Sequence, residues 1–220
     1  MYDNGSYVCC NSGGKDSLIV WHLLKRSGVK FKHIHNVTTI GYPEQMKYLR
    51  TNFDDIEFRF PEMNMRELII KNKFPPMRDK RYCCKYLKER NIIGEFKVMG
   101  IRSNESSARK KNRNELDVCS KDQTKSLNPI FTWDDNDVWR YIDENNLNYC
   151  KLYDKGYNRI GCMLCPFKPN KTRKKDAERY PGVKQMFIKI FDEVIKIRNE
   201  QDMKCTWKDG KEMFDWWLSG

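Results

Sequence analysis

Short apolar runs of strand length alternate with segments of helical period through most of this chain. Tyr7-Val8-Cys9-Cys10 is the first such run. After a Gly-rich turn, Asp16–Ser27 places Ile19 with Leu23 and Val20 with Leu24 at i,i+4 spacing, which predicts a helix that Gly28 stops. Phe31–Val37 predicts a second strand. Thr38–Glu44 reads as a loop, with Pro43 placed to open a helix through Thr51. Ile56–Phe60 alternates and predicts a third strand, and Met65–Lys71 a helix. Phe74-Pro75-Pro76 breaks the pattern, and Cys83-Cys84 then opens a helix toward Gly94. Val98–Ile101 is a short buried strand that delivers Gly100-Ile101-Arg102. Thr132 or Asp134 caps a helix carrying Val138, Trp139, Tyr141 and Ile142. Leu147–Pro169 follows no period. Phe187, Ile190, Phe191, Val194 and Ile197 form the core stripe of a long helix, and Phe214, Trp216 and Trp217 mark a last short helix packed on the domain.

Strands alternating with helices imply an α/β fold. The expected architecture is a mainly parallel sheet with helices on both faces, plus a C-terminal helical extension. A nucleotide-binding α/β domain over 1–145 and a loop-and-helix region over 146–220 is the expected division. Ligands of such sheets bind beyond the carboxyl ends of the strands. The loops after the first and second strands and the Arg102 segment would converge there. No apolar run is long enough to span a membrane, and the first strand begins too early for a signal peptide. A cytoplasmic location, with no membrane partner, is the expectation.

Charge changes the picture. The chain carries 42 Lys and Arg against 30 Asp and Glu, a formal net charge of +12. Such a balance suits polyanionic partners; a Lys-rich solvated surface would produce it too. The basic residues concentrate in Arg109-Lys110-Lys111-Asn112-Arg113 and in Lys168–Lys175.

The turn after the first strand, Ser12-Gly13-Gly14-Lys15-Asp16-Ser17, carries the strongest chemical signal. Adjacent glycines allow close backbone approach, and the helix start behind them supplies N–H groups and a positive dipole end. Lys15 adds a cation, and Ser12 and Ser17 add hydroxyls. The turn suits a pyrophosphate. It is not a Walker A loop, because the spacer before Gly-Lys is missing.

Nine cysteines are too many for an incidental set in a cytosolic chain, where disulfides are rare. Cys9 and Cys10 fall in the first strand as small buried residues, and Cys119, Cys150 and Cys205 are isolated. Cys83-Cys84 and Cys162-x-x-Cys165 form a four-thiol set. It suits an iron–sulfur cluster or zinc, with purely structural thiols as the third reading.

Ser-Gly-Gly-Lys-Asp-Ser resembles the PP-loop of the ATP pyrophosphatase, or adenine nucleotide alpha-hydrolase-like, superfamily. The rest of the chain is similar to its phosphoadenosine phosphosulfate (PAPS) reductase family. Gly100-Ile101-Arg102-Ser103-Asn104-Glu105-Ser106 resembles the family's Gly-x-Arg-x-x-Glu-Ser segment. Asn128-Pro129-Ile130 with Trp133 and Asp137-Val138-Trp139 resembles its Pro … Trp … Asp-Val-Trp block. Leu152-Tyr153-Asp154, Gly156-Tyr157 and Arg159-Ile160-Gly161-Cys162 resemble the approach to its cysteine knuckle. Thr38, Thr39, Gly41 and Glu44 fall where the family has an Asp-Thr-Gly-like segment near the nucleotide, although the Asp is absent here.

This resemblance implies ATP bound with Mg2+ at Ser12, Gly13, Gly14, Lys15, Asp16 and Ser17, with Thr39, Gly100, Arg102 and Arg109 as further nucleotide contacts. Lys15, Asp16 and Arg102 would be the catalytic groups. A salt bridge to Glu105 is the other reading of Arg102 and Arg109. The resemblance also implies a 4Fe-4S cluster on Cys83, Cys84, Cys162 and Cys165, with Arg81, Lys85 and Lys88 offsetting its charge. Motif content is nearest to iron–sulfur sulfurtransferases of the DNA phosphorothioation type, because the loop is intact and no Glu-Cys-Gly-Leu-His-like tail is present. The expected function is ATP-dependent sulfur transfer to an acceptor such as DNA or tRNA. A sulfur donor protein or thiol reductant would be a partner, and the chain would assemble as a homo-oligomer. The alternatives are a reductase of PAPS or adenosine phosphosulfate and a non-catalytic nucleotide-binding or nucleic-acid-binding module.

Overall fold

The computed structural model describes residues 7–89, 96–118 and 124–219. Its order begins β1 (Tyr7–Cys10), α1 (Lys15–Ser27), β2 (Phe31–Asn36), α2 (Pro43–Asn52), β3 (Ile56–Arg59), α3 (Met65–Asn72) and α4 (Tyr82–Leu87). It continues β4 (Phe96–Val98), α5 (Ser107–Asn112), β5 (Leu116–Val118), β6 (Lys125–Leu127) and α6 (Asp135–Glu144), and closes with α7 (Asn170–Arg179), α8 (Pro181–Glu200) and α9 (Gly210–Ser219). The strands form one six-stranded sheet in the order β3-β2-β1-β4-β6-β5. All pairings are parallel except that of β5 with β6 at the edge. This is the α/β architecture expected, with helices following at the C-terminal end. Among the described residues no helix is long and apolar enough to cross a membrane.

The chain divides into two compact units that interleave in sequence. The first is Met1–Val37, Tyr42–Arg59 and Arg90–Gly161; the second is Thr38–Gly41, Phe60–Glu89 and Cys162–Gly220. The break expected at 145 falls inside the first unit, and the second also gathers 60–89.

The first unit holds the whole sheet. Val8 on β1 and Ile34 on β2 are buried at its centre, as are Leu18, Ile19 and Val20 on α1. α1 starts on Gly14 without a side-chain cap, carries Asp16 in its first turn and ends on Gly28 at φ 72°, where the Gly28 N–H donates to the Lys25 carbonyl. That left-handed position favours glycine because no Cβ is present to clash. α6 has a stronger start: Asp134 caps the Asp137 N–H, and the Asp137 side chain returns to the Asp134 N–H.

The second unit packs on aromatic rings. Phe187 and Phe191 on α8 meet Trp217 on α9 at ring separations of 5.0 and 5.6 Å, and the Trp217 indole donates to the Pro76 carbonyl at 2.7 Å. A buried polar atom on so large a ring needs such a partner. Trp216 packs its ring on Phe74 and Trp207 at 5.8 and 4.8 Å while staying 38% exposed.

Several elements depart from the pattern-based reading. The strand before Gly100 is Phe96–Val98 and ends earlier than Ile101. β5 and β6 are three residues each, too short for a period-two signal. α7 was hidden because its sequence is mostly charged; the residues it buries are Arg173, Asp176 and Ala177. The helix from Cys83-Cys84 ends at Leu87, short of the expected Gly94, and leaves Lys88 and Glu89 in a turn; 90–94 lie outside the described residues, as does Cys119.

Candidate functional site

The Gly-rich loop is assembled by residues on both sides of it. Asn11, directly after β1, is 3% exposed. Its Oδ1 accepts from the Gly13 N–H at 2.8 Å and from the Ser17 hydroxyl at 2.9 Å. This Asx turn sets Gly13 at φ 74°. A Cβ there would also lie 2.9 Å from Gln45 Cγ, so glycine is required twice over. Gln45 on α2 donates from Nε2 to the Ser12 carbonyl. The Ser17 hydroxyl lies 2.9 Å from the Gly14 carbonyl and accepts from the Ser12 N–H at 3.2 Å. Ser17 therefore builds the loop from within instead of presenting its hydroxyl outward.

The cations behind the loop are paired. Lys15 Nζ lies 3.0 Å from Asp135 Oδ1 and 3.5 Å from Asp16 Oδ2. Arg102 is 3% exposed and donates from Nε to Asp16 Oδ1 at 2.6 Å, from Nη2 to Asp135 Oδ1 at 2.8 Å and from Nη1 to the Trp133 carbonyl at 3.3 Å. Burial alone would raise the Asp135 carboxyl; the Lys15 and Arg102 bonds outweigh it and hold the group below its ordinary range. Gly100 lets this cluster close, since a Cβ there would lie 2.7 Å from the Asp16 carbonyl carbon. The first amide of α1 is also taken: the Lys15 N–H donates to the Tyr153 hydroxyl at 2.8 Å. Tyr153 is wedged edge-on against Trp139 at 5.3 Å.

Arg109 pairs with Glu105, the partner that the salt-bridge reading names. Burial, then the charges of Arg159, Arg113 and Arg102, push its guanidinium down to about 10 against the opposite pull of Asp16. Arginine stays charged at neutral pH even so.

The four-cysteine set lies wholly in the second unit. Cys83, Cys84, Cys162 and Cys165 line one cavity, walled by apolar side chains that include Met65, Leu87, Phe187 and Trp217. The Cys83 hydrogen bond, then Lys88 and Arg81, bring the Cys84 thiol down to about 6, while burial opposes them. Its partner Cys83 is raised by that shared hydrogen bond and by burial, and burial raises Cys165. The Cys162–Cys165 knuckle is held by backbone and side-chain bonds. The Met163 N–H donates to the Ile40 carbonyl at 2.8 Å. Leu164, at φ 55°, donates to Asp176 Oδ2 at 3.0 Å, and Lys168 Nζ meets the same oxygen at 3.0 Å. Among the described residues, no three His, Cys, Asp or Glu side chains are gathered as a single metal ion would require.

The model of the phosphoadenosine phosphosulfate reductase domain matches residues 6–168. The chain belongs to that family. An uncharacterised protein of Methanocaldococcus jannaschii is 31% identical over 206 residues, covering 86% of this chain and 42% of that protein. A second from the same organism is 27% identical, and the chain spans 48% of it. This chain thus spans less than half of either relative. An adenosine 5'-phosphosulfate reductase of Oceanobacillus iheyensis is 24% identical over 197 residues, covering 81% of this chain and 78% of that protein. Among solved structures, a PAPS reductase from Candida auris has the same fold at TM-score 0.59 and 18% identity, covering 74% of this chain and 84% of the other. The FMN adenylyltransferase of Candida glabrata follows at TM-score 0.50 and 15% identity, over 74% and 54%.

For this PAPS reductase family member the sequence-derived residues separate into groups. Ser12 to Ser17, Gly100 and Arg102 come together around the head of α1. Thr39 belongs to the other unit, where its hydroxyl accepts from the Met65 N–H at 3.0 Å and caps α3. Of the Lys168–Lys175 run, Lys168 and Arg173 are buried; Arg173 donates to the Trp217 and Leu218 carbonyls. Asn11, Gln45 and Asp135 escaped the sequence reading, and Tyr153 entered it only within the Leu152-Tyr153-Asp154 motif, with no role at the loop. Only Asn11, adjoining the loop with a turn-forming side chain, carried a local signal.

Proposed function

We propose that this chain is an ATP-dependent iron–sulfur sulfur-transfer enzyme of the PAPS reductase family. The observation that carries the reading is the meeting of Cys83, Cys84, Cys162 and Cys165 at one apolar cavity, in a chain whose Ser12–Ser17 loop keeps Gly13 at φ 74° and leads straight into the head of α1. The donor set fits a cluster better than a lone ion, because each thiolate of a cluster takes a different iron. Bound there, a 4Fe-4S group would supply electrons or a sulfur-binding iron. Arg81 and Lys88 already lower Cys84 and would offset thiolate charge.

At the loop, the head of α1 would receive the β- and γ-phosphates of ATP. Lys15 and Arg102 would turn from Asp135 toward the phosphates and oppose the charge that develops as pyrophosphate leaves. Asp16 and Asp135 are the oxygen donors on hand for Mg2+. An acceptor oxygen attacks the α-phosphorus. The bond to the bridging oxygen breaks, and pyrophosphate departs with the electron pair. A sulfur nucleophile then displaces AMP from the activated acceptor. The exposed cations Lys110, Lys111 and Arg113 suit a nucleic-acid acceptor such as DNA or tRNA.

Anaerobically reconstituted protein, given ATP, magnesium, a sulfide donor and DNA or tRNA, is expected to release AMP and pyrophosphate in equal amounts. Failure to form either with any acceptor would overturn the reading. A second reading, reduction of adenosine phosphosulfate or PAPS, is favoured by the reductase name of the Oceanobacillus relative, most of whose length this chain covers. Sulfite release from either compound with a thiol reductant, and no pyrophosphate from ATP, would select it.

A further inference from the structure

The nucleotide loop is tied to a buried chain of hydrogen bonds that runs away from the ligand side. Asn11 uses every polar group it has. Its N–H donates to the Ile34 carbonyl at 2.9 Å, and its carbonyl accepts from His35 Nδ1 at 2.8 Å. Its Oδ1 holds Gly13 and Ser17. That leaves the Nδ2 amino group, which lies 3.0 Å from His33 Nε2. An amino group only donates, so Nε2 must be the unprotonated, accepting nitrogen. The imidazole proton then sits on Nδ1, which lies 2.8 Å from Asp55 Oδ1. Asp55 is held in turn by Lys25 at 2.6 Å.

Only one amide orientation and one tautomer satisfy the whole chain. Turning the Asn11 amide over would aim its amino group at the Gly13 N–H. Moving the His33 proton to Nε2 would set two donors face to face. Both residues are almost fully buried, at 3% and 4% exposure, so water offers little relief.

We infer that His33, oriented by Asp55, is a positioning residue that fixes the Asn11 amide and through it the phosphate-facing loop. The inference rests on the reading of that loop as a nucleotide site. His33 touches no ligand itself; it sets the geometry of Gly13 and Ser17 before a ligand arrives. Protonating it would break the relay. The titratable groups facing it are Asp55, Lys25 and Cys9, its register partner on β1. The rings of Trp21, Phe31 and Phe53 pack around it. Burial keeps the imidazole below its ordinary value despite Asp55, so the relay stays intact at neutral pH.

The test has two arms. The first needs no ligand: imidazole nitrogen NMR at pH 7 should show His33 protonated on Nδ1 and bare on Nε2. Asn11→Asp should raise its pKa, because a carboxylate in place of the amide calls for a proton on both nitrogens. A His33 that carries its proton on Nε2, or that titrates unchanged in Asn11→Asp, overturns the inference whatever the protein binds. The second arm is ATP affinity by calorimetry. His33→Leu and Asp55→Ala should weaken binding about tenfold and about threefold; tenfold corresponds to about 1.4 kcal/mol of lost preorganisation. His33→Gln, which can still accept from Asn11, should restore most of it and remove the weakening of affinity expected of the wild type at acid pH. Wild-type protein that binds ATP while His33→Leu binds it equally well would overturn the relay and leave the loop reading standing. A wild type with no affinity for any adenine nucleotide would overturn the loop reading, and the NMR arm would still decide the relay.

Discussion

Replacing Arg102 with Met tests whether its guanidinium serves first as an internal anchor. Its side chain donates to Asp16 at 2.6 Å, to Asp135 at 2.8 Å and to the Trp133 carbonyl at 3.3 Å. A hydrogen bond between charged groups contributes about 1.5–3 kcal/mol where water is excluded. The Asp135 side chain is 71% exposed, so its share falls to under about 1 kcal/mol. The Asp16 side chain is 20% exposed and keeps the larger share, softened by Lys15 at 3.5 Å. The sum is a loss of about 2–4 kcal/mol in Arg102→Met, with Arg102→Lys intermediate because a lysine cannot span both carboxylates. Urea unfolding of Arg102→Met, Asp16→Asn and the double variant closes a cycle whose expected coupling is about 1.5–3 kcal/mol. A coupling below about 0.5 kcal/mol would refute the anchor and return Arg102 to ligand contact alone.

Gly100→Ala should cost about 1–3 kcal/mol, because its Cβ would overlap the Asp16 backbone; Gly161→Ala, which meets nothing within 4 Å, should stay within about 0.5 kcal/mol of wild type in the same urea titration. Asp176→Asn should destabilise the apo protein by about 3–5 kcal/mol, since it strips Lys168 of a fully buried counter-charge; a smaller iron yield after reconstitution would show that the knuckle had loosened. His33 gives a pH dependence: its folded pKa lies below the ordinary 6.5, chiefly through burial, so the unfolded chain takes up the proton first. The stability this group contributes is whole above about pH 6.5 and is lost as pH falls from there through the folded value, a decline that unfolding titrations should record and His33→Gln should flatten. Asp135→Asn should tighten magnesium-free pyrophosphate binding about threefold to tenfold by calorimetry, because it removes the anion that now holds Lys15 and Arg102; weaker binding would show that Asp135 assists the ligand.

Local signals were legible in the sequence. The strand–glycine–helix order of Tyr7–Ser27, the stop at Gly28 and the cap at Asp134 each depend on residues within a few positions, and the structure has all three. The two cysteine pairs were legible as a set because their spacing is a motif. Partners at long range were not. Tyr153 meets Lys15 across 138 residues and Asp16 meets Arg102 across 86; no local pattern encodes such a pairing. Arg102 shows the consequence. A guanidinium in a Gly-x-Arg segment reads as a phosphate ligand, and nothing beside it in the sequence shows the Asp16 and Asp135 carboxylates it pairs with. α7 failed for another reason. Its buried positions are filled by Arg173 and Asp176, which a hydrophobicity pattern counts as surface, although each is satisfied by a specific partner.

The pairing of the site's cations bears directly on how it would use a nucleotide. Lys15 and Arg102 share one oxygen of Asp135, and the Lys15 N–H is engaged by a neutral hydroxyl. An arriving polyphosphate would find these donors occupied and would have to exchange partners with them. Such an exchange weakens binding, since each new bond replaces an old one. It also leaves the cations preorganised, already desolvated and held in place by Asp16 and Gly100, so little reorganisation remains for the chemical step. Asp135 is the exposed member of the set and the one that can swing into water at least cost. Asp16 is held more deeply and would stay. The site's selectivity would then come from charge: a phosphate tail with enough negative charge to displace Asp135 enters, and a neutral or singly charged ligand does not.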